Sequence, residues 1–281
     1  MNDSGKGIVN MFKLFFITNS PDIALIAESV GIDRIWIDLE VLGKEKRQKG
    51  LNTVKSKHSL KDIALVSNVL SKSELMVRIN PLNENSKAEI DNTIKSGAQV
   101  IMLPYWKTVK EVKKFIEYVD CRAVTNLLLE TKEAVNCIDS VLDIDGINEI
   151  HIGLNDLKIS YNSSYMFEPY ANGLLEQLAL KFKSHNITFG IGGIGRIGGR
   201  LVPTPEQLLA EQYRLGSSST ILSRSFCNIA ELSNTEIEQS LKKNVAALRL
   251  EEDKIYKMSK IQLENNHKVI VNIINSIIKK G

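Results

Sequence analysis

The sequence predicts an α/β fold of the TIM-barrel class, a closed (β/α)8 barrel with a long C-terminal helical extension. Three observations predict it. Eight short apolar, β-branched or aromatic runs alternate with helix-period segments up to about residue 225. Several runs, such as VIML at 100–103 and VTNLLL at 124–129, are continuously apolar or nearly so, as suits parallel strands buried on both faces. The length of 281 residues fits one large barrel, roughly 250 residues in the usual case, although it also allows two average domains. Eight βα units in series are compatible with an open doubly wound sheet as well.

Taken in order, strands are expected at Phe12–Thr18, Arg34–Leu39, Leu75–Ile79, Gln99–Leu103, Ala123–Leu129, Asn148–Gly153, Thr188–Ile191 and Ser219–Leu222. The first helix is expected to open near Pro21. Gly31, Gly97 and Gly216 each follow a helical pattern and precede a strand, where a helix end needs positive φ. From about residue 233 the pattern becomes one long helical stretch, with Leu241, Leu248 and Ile255 spaced seven apart. We therefore divide the chain into a barrel catalytic domain, 1–232, and a helical arm, 233–281. The arm suits packing on a neighbouring subunit; folding back on its own barrel is the alternative.

Composition is that of an ordinary globular protein, 43% hydrophobic and 25% charged. The net charge of +3, from 36 basic and 33 acidic residues, points to neither nucleic acid nor membrane as a partner. Cys121, Cys137 and Cys227 show no CxxC spacing, which argues against a disulfide framework or a zinc site. The N-terminal MNDSGKGIVN lacks a signal-peptide pattern, and the apolar run 14–17 is too short to span a bilayer. The expectation is a cytoplasmic protein. His58, His151, His185 and His267 show no metal-ligand spacing, and no GxSxG motif supports nucleophilic hydrolysis.

A barrel carries its active site at the C-terminal ends of its strands. Those ends supply Asp38 and Glu40 on strand two, Arg78 on strand three, Glu130 on strand five, and Gly153, Leu154, Asn155 and Asp156 on strand six. Charged residues directly after apolar strands must be paired or bind a ligand. Glu130 and Asp156 end adjacent strands, and two carboxylates plus water are what Mg²⁺ asks of a protein. The same two residues also suit the N-termini of the following helices. Arg78 is placed to fork onto a carboxylate or stabilise an enolate oxygen; a salt bridge to Asp38 or Glu40 fits nearly as well. Glu40 could position substrate or a metal-bound water, or pair with Lys44 or Arg47. Gly193, Gly195 and Gly198 match GxGxxG, but a dinucleotide site needs a helix starting inside the motif, and here the next helix waits for Pro203–Pro205.

Read together, IDLE (37–40), VRIN (77–80), SGAQVIMLP (96–104), LLLET (127–131), GLNDL (153–157), FGIGGI (189–194) and ILSRSF (221–226) resemble the HpcH/HpaI aldolase and citrate lyase β-subunit family of the phosphoenolpyruvate/pyruvate barrel superfamily. The resemblance runs from about Leu14 to Cys227. It implies a Mg²⁺ or Mn²⁺ site on Glu130 and Asp156, contact of Arg78 with a keto or enolate oxygen, and capture of the keto acid's carboxylate by backbone amides near Asn155 and Asp156. The implied activity is reversible carbon–carbon cleavage of a 2-keto acid or acyl-CoA-like substrate through an enolate. The resemblance also implies a homo-oligomer, a trimer or hexamer.

The chain departs from the family where protons move. In the aldolase branch a histidine follows Glu40; here it is Val41. The aspartate of that branch two positions before Gly97 is Lys95, and the glutamine two positions before Glu130 is Leu128, as in the lyase branch. The lyase branch usually has an acid after IDLE and a lysine after LP, where Val41 and Tyr105 stand here. The general base is left to water or to the segment Ser160–Gly173, which is polar and aromatic enough for a lid. A barrel that binds metal and keto acid without catalysis, or serves as an assembly partner, is the competing reading.

Overall fold

The structure, a computed structural model, describes residues 12–43 and 58–280. Eight parallel strands close into a barrel in sequence order. They are β1 (Lys13–Ile17), β2 (Arg34–Asp38), β3 (Glu74–Arg78), β4 (Val100–Leu103), β5 (Val124–Leu129), β6 (Glu149–Ile152), β7 (Thr188–Ile194) and β8 (Ser219–Leu222). All eight fall on the expected runs, with ends shifted by at most three residues. β1 pairs with both β2 and β8, which removes every sheet edge.

Period-two alternation divides each strand between two cores. Leu14, Phe16, Ile35, Ile37, Leu75, Val77, Ile101, Leu103, Leu127, Leu129, Ile150 and Ile152 pack outward with the helices in one large cluster. Phe15, Trp36, Met76, Val100, Met102 and Leu128 form a second cluster inside the barrel. Below this inner layer, Arg34 is fully buried. Its guanidinium donates to Glu149 on β6 at 2.6 and 3.0 Å and to Glu74 on β3 at 2.6 and 3.1 Å. Asn126 on β5 donates to Glu149, and Lys13 on β1 to Glu74. The floor of the barrel is thus a closed ionic layer in which each buried charge meets an opposite one.

The described helices are α1 (Pro21–Ser29), α2 (Leu60–Ser67), α3 (Ser86–Lys95), α4 (Val109–Val119), α5 (Lys132–Asn136), α6 (Ile138–Leu142), α7 (Leu154–Tyr161), α8 (Glu168–Ala171), α9 (Leu174–Ser184), α10 (Pro205–Leu215), α11 (Asn234–Tyr256) and α12 (Lys260–Ile278). Gly31, Gly97 and Gly216 all take the positive φ expected at helix ends. Gly97 has a second reason to lack a side chain: a Cβ there would come within 2.7 Å of Ser67 Cβ.

The C-terminal stretch forms two helices. α11 buries Ile237, Leu241, Val245, Leu248 and Ile255 and packs between α1 and α10. Arg249 on α11 also holds Asp33 and the Phe12 carbonyl, and buried Glu252 accepts from the Phe12 amide. α11 therefore occupies the place of the barrel's eighth outer helix. The division at residue 232 falls just before α11, and α12 follows it as a further helix. α12 rests on α10 and α8 through Ile270 and Ile274. Among the described residues, no helix is long and apolar enough to cross a membrane. The three cysteines are free.

Candidate active site

The C-terminal ends of β2 and β3 lie in register, with Asp38 opposite Arg78. Arg78 forks onto Asp38 through Nε at 2.9 Å and Nη2 at 2.8 Å, and Nη2 lies 3.3 Å from Glu40. The guanidinium also stacks 4.8 Å over the Trp36 ring. Burial works against its charge, but Asp38, Glu40 and Glu130 outweigh that and raise its pKa. The salt-bridge reading of Arg78 thus holds geometrically, with both proposed partners. It also fixes a permanent cation at the rim, aimed by an ionic clamp. Lys44 and Arg47, the other partners considered for Glu40, lie outside the described residues.

Glu130 is buried at the end of β5. The cap of α5 is Thr131, whose hydroxyl accepts from the Ala134 amide, so Glu130 has no capping duty. Its Oε1 accepts from the Tyr105 backbone amide at 3.0 Å. Tyr105 adopts a left-handed φ of 50°, uncommon for a residue with a side chain and typical of functional sites. On its other side the Glu130 carboxylate approaches Gly153, where a Cβ would stand 3.0 Å from Oε2 and 3.1 Å from Glu130 Cβ. Gly153 is the N-cap of α7, and no side chain caps that helix. Asp156 follows in its first turn, as do Leu154 and Asn155. The β5 and β6 ends thus bring together a buried carboxylate released from capping, a glycine that makes room for it, a helix N-terminus without a side-chain cap, and a second carboxylate. The donor set suits a hard divalent cation, and the helix end suits an anion.

A cavity of about 1120 Å³ opens at this end of the barrel. Asp38, Arg78, Asn155 and Asp156 line it, together with Arg196 in the glycine-rich loop after β7 and with residues the sequence reading did not select: His58, Arg224 and the rest of the stretch 222–232. His58 stands just before α2, and its Nδ1 accepts from the Asp38 amide at 2.9 Å. A backbone amide only donates, so the neutral ring carries its proton on Nε2. Nothing in the sequence marked His58, because it lies 20 residues beyond Asp38; only the fold returns it to the strand end.

The other candidates sort plainly. Val41 is exposed, and its amide donates to Asn80. Lys95 is exposed at the C-terminal end of α3. In the segment 160–173, Phe167 and Tyr170 are buried, the Tyr170 hydroxyl accepts from Gln212 on α10, and burial raises its pKa; Tyr165 bonds to the Val202 carbonyl. Its aromatic side chains serve packing more than proton transfer. β7 runs through Ile194, and α10 begins only at Pro205, so no helix starts inside the GxGxxG match. His151 lies in the inner core, 5.7 Å from the Phe15 ring. One further acidic group with a histidine, Glu176, Glu211 and His267, sits among the outer helices. Arg214 contacts all three residues and occupies the place a cation would take.

Fold and site define a TIM barrel with an acidic, arginine-braced mouth. The chain belongs to the HpcH/HpaI aldolase/citrate lyase family, whose model matches residues 11–166. Membership supports carbon–carbon lyase or aldolase chemistry on small molecules. No curated protein sequence matches the chain. Among solved structures, the HpcH/HpaI aldolase of Desulfitobacterium hafniense is 15% identical, with a TM-score of 0.60 over 80% of this chain and 95% of that one. A family protein from Burkholderia cenocepacia is 15% identical, with a TM-score of 0.59 over 85% and 95%. The citrate synthase SbnG is 14% identical, with a TM-score of 0.59 over 87% and 95%. At these identities the likeness concerns the fold.

Proposed function

We propose that this protein is a divalent-metal-dependent carbon–carbon lyase or aldolase acting on a 2-keto acid, or a related acyl substrate, through an enolate. The observation that carries the reading is the state of Glu130: buried, relieved of capping by Thr131, and set between the Tyr105 amide and the bare Cα of Gly153. Glu130 and Asp156 would hold Mg²⁺ or Mn²⁺, which supplies Lewis-acid polarisation of the keto oxygen. Backbone amides of Leu154, Asn155 and Asp156, at the N-terminus of α7, take the substrate carboxylate. Arg78, aimed by Asp38 and Glu40, offers its charge to the oxygen that becomes negative. His58 lines the same cavity, tethered by the Asp38 amide through Nδ1, and is the residue we would test for the proton-transfer role that Val41 lacks.

The test is Mg²⁺- or Mn²⁺-dependent exchange of pyruvate methyl protons in D₂O, followed by NMR, alongside retro-aldol turnover. Glu130→Ala should lower both at least about a hundredfold, the scale of losing a main charge stabiliser. Full activity in EDTA would sink the reading. The absence of the aldolase-branch histidine and aspartate at Val41 and Lys95 favours a second reading, a barrel that binds metal and keto acid without turnover. Binding with no proton exchange is its signature. A trimer or hexamer belongs to the first reading; exposed Leu250, Tyr256 and Ile261 on the C-terminal helices supply apolar area for one, and sedimentation velocity measures it.

A further inference from the structure

Strand β7 is irregular just below the mouth. Its register against β8 slips where three steps on β7, Gly190 to Gly193, match two on β8, Ser219 to Ile221. One residue of β7 is therefore extra, as in a β-bulge, a feature that re-aims the chain beside active sites. Gly192 lies in the slip with φ 38°, on the left-handed side that favours glycine. Its carbonyl is turned into the barrel, where His151 Nε2 meets it at 3.3 Å. A carbonyl only accepts, so Nε2 carries the ring proton.

His151 is an unusual residue for its position. It stands on β6 between Ile150 and Ile152, which pack outward, so its ring enters the inner layer beside Phe15 and is fully buried. Nδ1 is left without a hydrogen-bond partner, a cost that an apolar side chain would avoid. What the ring supplies is a donor for a buried carbonyl turned out of the regular ladder. The Cα of Gly192 is covered in turn by Leu154. A Cβ at Gly192 would stand 2.7 Å from Leu154 Cδ1 and 3.0 Å from its Cγ, so this buried leucine rests directly on the bare backbone. Leu154 is the first residue of α7, which packs on β7 and has no side-chain cap to fix its first turn. Asn155 and Asp156 follow it onto the cavity wall. The bulge is thus held between an imidazole inside the barrel and the first side chain of α7.

We propose that His151 is a positioning residue: by holding the Gly192 carbonyl it sets the bulge on which Leu154 rests, and so places the first-turn amides of α7 that take the substrate carboxylate. This inference rests on the keto-acid reading above and adds the residue that tunes its carboxylate site. Two substitutions separate the donor from the bulk of the ring. His151→Gln keeps an amide N–H at the reach of Nε2. His151→Asn places its amide nearer the backbone, where Nδ1 stands, and falls short of Gly192. The experiment measures kcat and KM for Mg²⁺-dependent proton exchange of pyruvate, and pyruvate affinity of the Mg²⁺-loaded protein by calorimetry.

Amides that hold a carboxylate equally in the ground and transition states act on KM and leave kcat unchanged. A merely structural loss lowers the folded fraction and leaves KM alone. Displacing a positioning group by an ångström costs up to about a hundredfold. His151→Asn should therefore raise KM and the pyruvate Kd at least about tenfold, with kcat per folded molecule within about threefold of wild type. His151→Gln should bring KM and Kd back to within about threefold of wild type. Equal KM in wild type and His151→Asn overturns the proposal, and so does equal behaviour of the Asn and Gln variants. If His151→Asn does not fold, Gly192→Ala disturbs the same contact from the Leu154 side; an unchanged KM there overturns the proposal. A wild type that neither exchanges protons nor binds pyruvate counts against the keto-acid reading instead. The placement of α7 is then read from the Leu154, Asn155 and Asp156 amide resonances by NMR. They should move in His151→Asn and return in His151→Gln, and resonances that stay in place in His151→Asn overturn the proposal.

Discussion

The floor and the mouth of this barrel are built from the same parts and behave differently. Each places one arginine against two carboxylates, with one of its ion pairs across β2 and β3. On the floor, Arg34 of β2 meets Glu74 of β3 and reaches across the interior to Glu149 of β6. At the mouth the direction reverses, and Arg78 of β3 meets Asp38 and Glu40 at the end of β2. The floor is closed: Arg34 is fully buried, four hydrogen bonds hold its guanidinium, and its charge lies over the Phe15 ring. The mouth opens onto the cavity, with further carboxylates on β5 and after β6 and with Arg78 partly exposed. A buried ionic group that closes on itself serves the fold. The same group left open toward a cavity is placed where a ligand could meet it.

Exchanging each arginine for methionine breaks this comparison most sharply. Arg34→Met leaves Glu149 inside the barrel without its cation, while Glu74, a third exposed, keeps Lys13. The expected cost is about 3–5 kcal/mol of stability, read from denaturant unfolding; turnover per folded molecule should change little. Arg78→Met strips the cation from Asp38 and Glu40, whose side chains are almost fully buried, so the expected stability loss is of the same order, about 3–5 kcal/mol. Its turnover should fall about a hundredfold. If the two variants lose stability and activity in equal proportion, the division into structural floor and functional mouth fails.

The parts of this architecture legible in the sequence are those set by local pattern. Runs such as VIML and VTNLLL place their strands because burial on both faces leaves no polar alternative. Gly31, Gly97 and Gly216 mark helix ends because the backbone there needs positive φ. The candidate site was half legible. Glu130 and Asp156 could be selected at strand ends, but not that Thr131 rather than Glu130 caps α5, nor that Gly153 leaves space beside the Glu130 carboxylate. Arg34 shows the opposite limit. It opens an apolar strand, and nothing near it in sequence says that partners wait 40 and 115 residues away. His58, Arg196 and Arg224 reach the mouth through long-range closure. The role of α11 was hidden for the same reason: a long amphipathic helix reads identically whether it closes its own barrel or reaches a neighbour.

Between floor and mouth, His151 tests how dry the inner layer is. It is fully buried, and its Nε2 lies 3.3 Å from the Gly192 carbonyl, which only accepts. The proton of the neutral ring is therefore on Nε2, and Nδ1 has no hydrogen-bond partner. Burial pushes its pKa down to about 4, against a weaker opposite effect of that carbonyl. Between the ordinary value near 6.5 and about 4, the unfolded chain binds a proton that the folded protein refuses. Stability is then fully present above pH 6.5 and falls as the pH drops, by about 2 kcal/mol between pH 7 and 5. Urea unfolding at the two pH values should show that loss in wild type and a flatter dependence in His151→Gln. Equal slopes would mean that water reaches the inner layer from the mouth.

The smallest expected effect lies at the outer edge of the floor. Lys13 on β1 also holds Glu74, at 3.1 Å, but its side chain is about half exposed. An exposed lysine gains little from a pair that water already solvates, and it loses side-chain freedom in forming it. Lys13→Gln should therefore cost less than about 1 kcal/mol, although it touches the same carboxylate as Arg34. The contrast with Arg34→Met separates burial from partner identity. The two share Glu74 as partner and differ in access to water and in the second carboxylate, Glu149, that only Arg34 reaches. A Lys13→Gln loss as large as that of Arg34→Met would show that Glu74 itself, rather than the sealed position of Arg34, governs the floor.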